Sequence, residues 1–339
     1  MYSATTAPSP TSTTSCFAAH AAANYDDLAT INSVEGWFKG HEGIRDLTPL
    51  RYTMVDSLSK ATMQPLTSLE CLSLPLTLSA IEEGAFANAT KLHYADMLSI
   101  VSTDLIEQMK NGGLQRLGLD TQQTLIYMPT EYGETDETNV VTGKPGSMRT
   151  TKYRMMGDWD YMVPYAFEAG SIENTRLLAK SDIPYTVCLP YTADIPTGAK
   201  AYVLDSRSEQ TLTFNEVTGS LEAMKPYLLL AADGDAWLNT PTAQTLPQTG
   251  TIASYPMQTD VLDYSLRGTL KSLDNHTATN MGALILQSDG RWHPVASDIS
   301  NLRTIDTDGT ERYYDLQGRP MDAAKKGIGV RKGKKVVVK

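Results

Sequence analysis

The chain is short of the residues on which catalytic and metal chemistry is most often built. Among its 339 residues are 3 cysteines and 5 histidines. Cys16, Cys71 and Cys188 form an odd, scattered set, which excludes a disulfide framework and a cysteine zinc site. His20, His41, His93, His276 and His293 never fall at HxxxH or HExxH spacing, so a zinc hydrolase has no basis. Basic charge is also short. The 29 Lys and Arg against 39 Asp and Glu leave a net charge of −10, which argues against general nucleic-acid affinity and a polybasic membrane anchor. No apolar run approaches the roughly 20 residues of a membrane span. Residues 1–15 lack the basic start and apolar stretch of a secretory signal. A βαβ rhythm is missing too, which counts against a dinucleotide fold.

What is present is a repeat. Leu69-Glu70-Cys71-Leu72-Ser73-Leu74 reads LxxLxL, as does Leu114-Gln115-Arg116-Leu117-Gly118-Leu119. Degenerate copies begin at Leu92 and Leu47, and the faintest at Tyr25, so the steps are 22, 22, 23 and 22. A period of this size marks a solenoid, which is usually a binding surface. Each copy is expected to be a short strand with its first, fourth and sixth residues pointing into the stack. Val34, Val55, Leu78 and Val101 are expected to turn the chain back toward the core. The acidic step Glu82-Glu83 reads as the start of a short helical turn.

The expected fold is mostly β. Residues 1–23 read as a disordered leader, 24–130 as a leucine-rich-repeat solenoid and 131–150 as a linker or edge loop. Residues 151–300 carry short β-type runs between turn residues, the pattern of a β-sandwich. These runs are Tyr185–Leu189, Ala201–Leu204, Thr211–Val217, Tyr227–Ala231, Tyr264–Leu270, Ala283–Gln287 and Arg291–Val295. Residues 301–339 form a C-terminal β segment, with a hairpin turn at Lys332-Gly333. The 7 basic residues among 325–339 read as a solvated hairpin face whose lysines guard an edge strand, with an anionic-surface patch as the alternative.

The unit Leu69-x-x-Leu72-x-Leu74-Pro75-x-x-Leu78-x-x-Ile81-x-x-Gly84-Ala85-Phe86-x-x-Ala89-x-x-Leu92 closely resembles the repeat of BspA-like leucine-rich-repeat surface proteins of Bacteroidetes. The segments 179–191 and 284–295 resemble that family's β-sandwich module. Tyr313-Tyr314-Asp315-Leu316-Gln317-Gly318-Arg319, with Gly333-Lys334-Lys335-Val336-Val337-Val338-Lys339, resembles its C-terminal segment and the C-terminal sorting domains of type IX secretion. The Ala-Phe pair is absent from the other repeats, and only residues 296–311 stand where the family has a further strand. The resemblance implies an extracellular or cell-surface protein used in adhesion or ligand capture.

Candidate chemistry is sparse. Cys188 has no activating motif around it. Asp306-Thr307-Asp308-Gly309-Thr310-Glu311 and Asp233-Gly234-Asp235 have too few acids for a calcium loop and read as turns. Asp158, Asp160, Glu168 and Glu173 would make a glycosidase pair only at the right separation. Asp56-Ser57-Leu58 resembles the short O-glycosylation motif of exported Bacteroidetes proteins. No catalytic residue, metal or cofactor is expected.

The stronger candidate is the outward face of the repeats. Period-two alternation puts Arg51, Ser73, Tyr94, Asp96 and Arg116 on one ribbon, a composition suited to recognition. The expected function is non-enzymatic binding of a protein or glycan partner. The alternative is a carbohydrate-binding or glycan-processing module in the sandwich, built on Trp237, Trp292 and nearby tyrosines.

Overall fold

The computed structural model describes residues 25–208 and 211–251, parts of 258–295, and the C-terminal strands between 313 and 338. Strands dominate, and helices are short. Two compact units divide the chain, residues 1–271 and 272–339.

The first half of unit 1 is a parallel stack. After helix α1 (Tyr25–Leu28) come β1 (Asp46–Leu47), β2 (Ser57–Leu58), α2 (Lys60–Met63), β3 (Cys71–Ser73), β4 (Ala80–Ile81) and β5 (Tyr94–Asp96). Next are α3 (Thr103–Met109), α4 (Gly113–Arg116), β6 (Leu125–Tyr127) and β7 (Val140–Val141). Strands β1, β3, β5, β6 and β7 pair in that order, all parallel. A second parallel pair, β2 with β4, lies one segment downstream in each turn. Leu69, Leu72 and Leu74, then Leu92, Ala95 and Met97, are buried at the first, fourth and sixth positions. Leucine at these positions closes one continuous apolar core running from Leu28 to Val140.

Several expectations are corrected in detail. The hexapeptide at Leu114 begins in helix α4, and the strand of its turn is β6. Leu114 and Leu117 are three apart, a spacing that serves a helix face as well as a strand. Both are buried. The hexapeptide at Leu47 is mostly a 3-10 turn, Thr48–Tyr52, started by Pro49. The returning apolar residue in the β5 turn is Ile100, 1% exposed, whereas Val101 is 66% exposed. Glu82 opens a turn of its own, its carbonyl accepting from the Ala85 N–H at 3.1 Å, and its side chain serves a second element. It accepts from the Lys60 N–H at 2.6 Å and so caps α2 one turn away, while Ser59 accepts from Thr62.

Residues 131–150, expected as a linker or edge loop, are largely loop and supply the edge strand of the sheet. Strand β7 joins β6, and the buried Asn139 side chain exchanges hydrogen bonds with the Arg154 backbone. The chain continues through β8 (Arg149–Met155) and β9 (Phe167–Asn174), which pair in parallel. Then follow β10 (Tyr185–Val187), β11 (Ala193–Asp194), β12 (Ala199–Ser208), β13 (Thr211–Val217), β14 (Ser220–Leu221), β15 (Tyr227–Ala231), β16 (Gln244–Leu246), β17 (Gln258–Val261) and β18 (Tyr264–Arg267). They form sheets ordered β16-β9-β8 and β10-β15-β12-β13, with the pairs β11-β14 and β17-β18.

A second core lies among these sheets, and the outer faces of β5 and β6 contribute to it through Tyr94, Leu125 and Tyr127. Unit 2 contains β19 (Leu284–Leu286) paired with β20 (Trp292–Pro294). Its C-terminal sheet is built from β21 (Tyr313–Tyr314), β22 (Pro320–Met321), β23 (Gly327–Arg331) and β24 (Lys334–Val338), with Arg331 opposite Lys334 in the last hairpin. The leader, the acidic run 306–311, the turn at 332–333 and the side chains of the C-terminal lysines lie outside the described residues.

Candidate functional site

The parallel register of β3 and β5 sets Ser73 beside Asp96. Arg51, at the end of the 3-10 turn two repeats before Asp96, reaches the same carboxylate. Its Nη1 donates to Asp96 Oδ2 at 3.1 Å, and Ser73 Oγ donates there at 3.4 Å. The backbone N–H of Leu98 donates to Asp96 Oδ1 at 3.1 Å. The fourth donor comes from elsewhere. The Tyr165 hydroxyl donates to Oδ2 at 3.0 Å while accepting from Arg51 Nη1 at 3.0 Å. Asp96 is 2% exposed and Ser73 3%, so the carboxylate is out of water and fully engaged.

Tyr165 lies on the crossover between β8 and β9, residues 156–166, which runs over the outer strand face. Tyr127 donates to the Tyr165 carbonyl at 2.8 Å and packs edge-on against its ring at 5.5 Å. Cys71 Sγ lies 3.7 Å from Met162 Sδ. The His93 ring stacks on Trp159 with centroids 4.6 Å apart. Burial raises the pKa of Tyr165, so its phenol stays protonated and donates. The residues between the leucines are therefore covered by the chain's own next module.

Of the five predicted ribbon residues, the structure brings together Arg51, Ser73 and Asp96, with Tyr94 close by and packed into the second core. Arg116 does not join them. It is exposed on α4, and its guanidinium closes the end of α3 at the Gln108 and Asn111 carbonyls. Tyr165 was missed. The signal was there in Met155-Met156-Gly157-Asp158-Trp159-Asp160-Tyr161-Met162-Val163-Pro164-Tyr165, a stretch rich in aromatic and thioether side chains between two polar strands.

Beside the junction, a small open cleft is lined by His93, Tyr153, Arg154, Trp159, Asp160 and Met162, among others. Burial lowers the pKa of His93, and its Nδ1 is buried with no hydrogen-bond partner. Burial pushes the Cys71 thiol up to about 12 and the Cys188 thiol up to about 11, so neither is a thiolate near neutrality. Glu173 is held between Lys152 and Arg154, which keep its carboxyl below the usual range. Asp235 accepts from the Lys180 backbone N–H, a structural contact with a segment 55 residues earlier. Among the described residues no group of three or more His, Cys, Asp or Glu side chains could hold a metal ion.

Many aromatic residues of unit 1 are buried, Tyr127, Tyr153, Tyr161, Tyr191 and Tyr227 among them. Trp237 differs, at 48% exposed, beside Leu177 at 43% next to the Leu178–Ala236 bridge. Among the described residues no helix is long and apolar enough to cross a membrane. A scan against protein-family models and searches of curated proteins and of solved structures found no match to this chain.

Proposed function

We propose that this chain is a non-enzymatic, exported cell-surface protein that binds a protein or glycan partner, in adhesion or ligand capture. In this reading residues 24–130 are a leucine-rich-repeat solenoid, followed by a β-sandwich and a C-terminal segment that directs surface display. The observation that carries it is the parallel ladder β1-β3-β5-β6-β7 with leucines at the inward positions. Stacked repeats of this kind are built as extended binding surfaces. The covered ribbon moves the partner away from Ser73 and Asp96 and toward surfaces that remain open, where Tyr52, Met54, Leu76 and Val101 are exposed apolar residues of the stack.

The test is surface biotinylation of the native host, with and without residues 312–339. Labelling of the intact protein, lost on that deletion, supports the reading. Native protein recovered only from the cytosol overturns it. A second reading, a carbohydrate-binding module, is favoured by the exposed ring of Trp237 in the β-rich half. A glycan array probed with the whole chain and with Trp237→Ala separates the two, since sugar binding through this ring is lost in the variant.

A further inference from the structure

The four-stranded sheet of unit 1 ends at β13, and no strand lies beyond it among the described residues. An edge strand offers a row of backbone N–H and C=O groups, and proteins usually guard it with lysine, proline, a bulge or brevity. Strand β13 has none of these guards. It is seven residues long, Thr211-Leu212-Thr213-Phe214-Asn215-Glu216-Val217, with no residue fully buried. The register irregularity lies on the inner strand, between Leu204 and Ser206. The strand's single charge, Glu216, is already met by Lys200 on β12 at 3.3 Å. Its other residues are β-branched, aromatic, aliphatic or amide, which favour strand pairing or leave it unopposed.

We propose that β13 pairs antiparallel with β13 of a second copy of this chain, joining two four-stranded sheets into one. The strand is its own complement. A two-fold axis through Phe214 sets Phe214 against itself, Thr213 against Asn215, Leu212 against Glu216 and Thr211 against Val217. No like charges oppose, and an aromatic meets an aromatic across the axis. Another protein's strand would need this pattern by coincidence, whereas every copy of the chain brings it. The contact is one strand wide and about 24 Å long at ~3.4 Å per residue, so the dimer is weak and concentration-dependent.

Sedimentation equilibrium of the whole protein, from about 1 µM to a few hundred µM, reads the association directly. The wild type is expected to pass from monomer to dimer. T213K/N215K sets lysine against lysine twice across the axis and should weaken association roughly tenfold. T213K/N215E sets lysine against glutamate twice and should keep or tighten it. Both positions are exposed, so both variants retain the wild-type circular dichroism. Hydrogen exchange supplies an independent check, with protection of residues 211–217 rising with concentration in the wild type. A wild type monomeric throughout, a dimer that T213K/N215K leaves intact, or exchange at 211–217 independent of concentration overturns the proposal.

Discussion

The hydroxyl of Tyr165 donates to the buried carboxylate of Asp96 at 3.0 Å, joining the parallel stack to the β-rich half of unit 1. Asp96 receives Arg51, Ser73 and the Leu98 N–H as well, so its charge is compensated from both sides of the junction. Tyr165→Phe removes one donor to a charged group and should cost about 1.5–3 kcal/mol. Asp96→Ala leaves Arg51 without its ion partner. With Arg51 29% exposed, the expected loss is about 3 kcal/mol, the low end for a broken buried pair. Urea unfolding measures both. If the junction is intact in solution, the double variant loses less than the sum of the singles. Additive losses would mean that the two groups do not touch.

The stack's coils press together at Gly118. Its φ is +91°, and a Cβ there would lie 2.4 Å from the Ala87 backbone nitrogen. The neighbouring strand-like contacts, Phe86 N–H to Leu117 and Gly84 N–H to Arg116, hold the two segments in that register. Gly118→Ala therefore combines left-handed strain with a backbone clash and should cost 2 kcal/mol or more, roughly. Gly133→Ala is the comparison, with a similar φ of +86° and open space around it. Thermal unfolding should rank the Gly118 variant clearly below it, and equal midpoints would refute the close approach.

Cysteine reactivity offers a direct test of burial. Both described thiols have raised pKa values, about 12 for Cys71 and about 11 for Cys188, in each case chiefly through desolvation. Alkylation requires thiolate, so native labelling by iodoacetamide should be slow at pH 7 and still climbing at pH 10. Peptide mass spectrometry should show full labelling only after denaturation. Fast labelling of either residue in the native protein would place it on an open surface.

Much of this architecture is legible in the residues, and the exceptions have physical causes. Strands β13 and β15 match their β-branched and aliphatic runs at both ends, because nothing in those runs suits another local structure. Strand β8, Arg-Thr-Thr-Lys-Tyr-Arg-Met, and strand β9, which contains Gly170, look polar and interrupted. Their order comes from pairing with each other rather than from pattern. The Leu114 hexapeptide misled because a three-residue leucine spacing is shared by helix and strand. Period-two alternation correctly set Ser73 and Asp96 on the outer face of the strands. It could not show that Tyr165, 69 residues beyond Asp96, closes over them.

The pH dependence of stability should report His93. Burial against Trp159 disfavours its charged form, so its folded pKa lies below the ordinary 6.5. The unfolded chain then binds more protons than the native one between those two values. Stability therefore rises with pH through that window: it is full above pH 6.5 and declines as the solution is acidified below it. The orphaned Nδ1 sharpens the argument, since a neutral ring with an unused lone pair is the species that accepts a proton on unfolding. Urea midpoints measured from pH 8 down to pH 5 should fall for the wild type. His93→Gln should flatten the part of that decline due to this ring while leaving the contribution of Glu173, a carboxylate held below its usual range, for lower pH. A wild type and variant with parallel profiles would show that His93 is as solvated in the folded protein as in the unfolded chain.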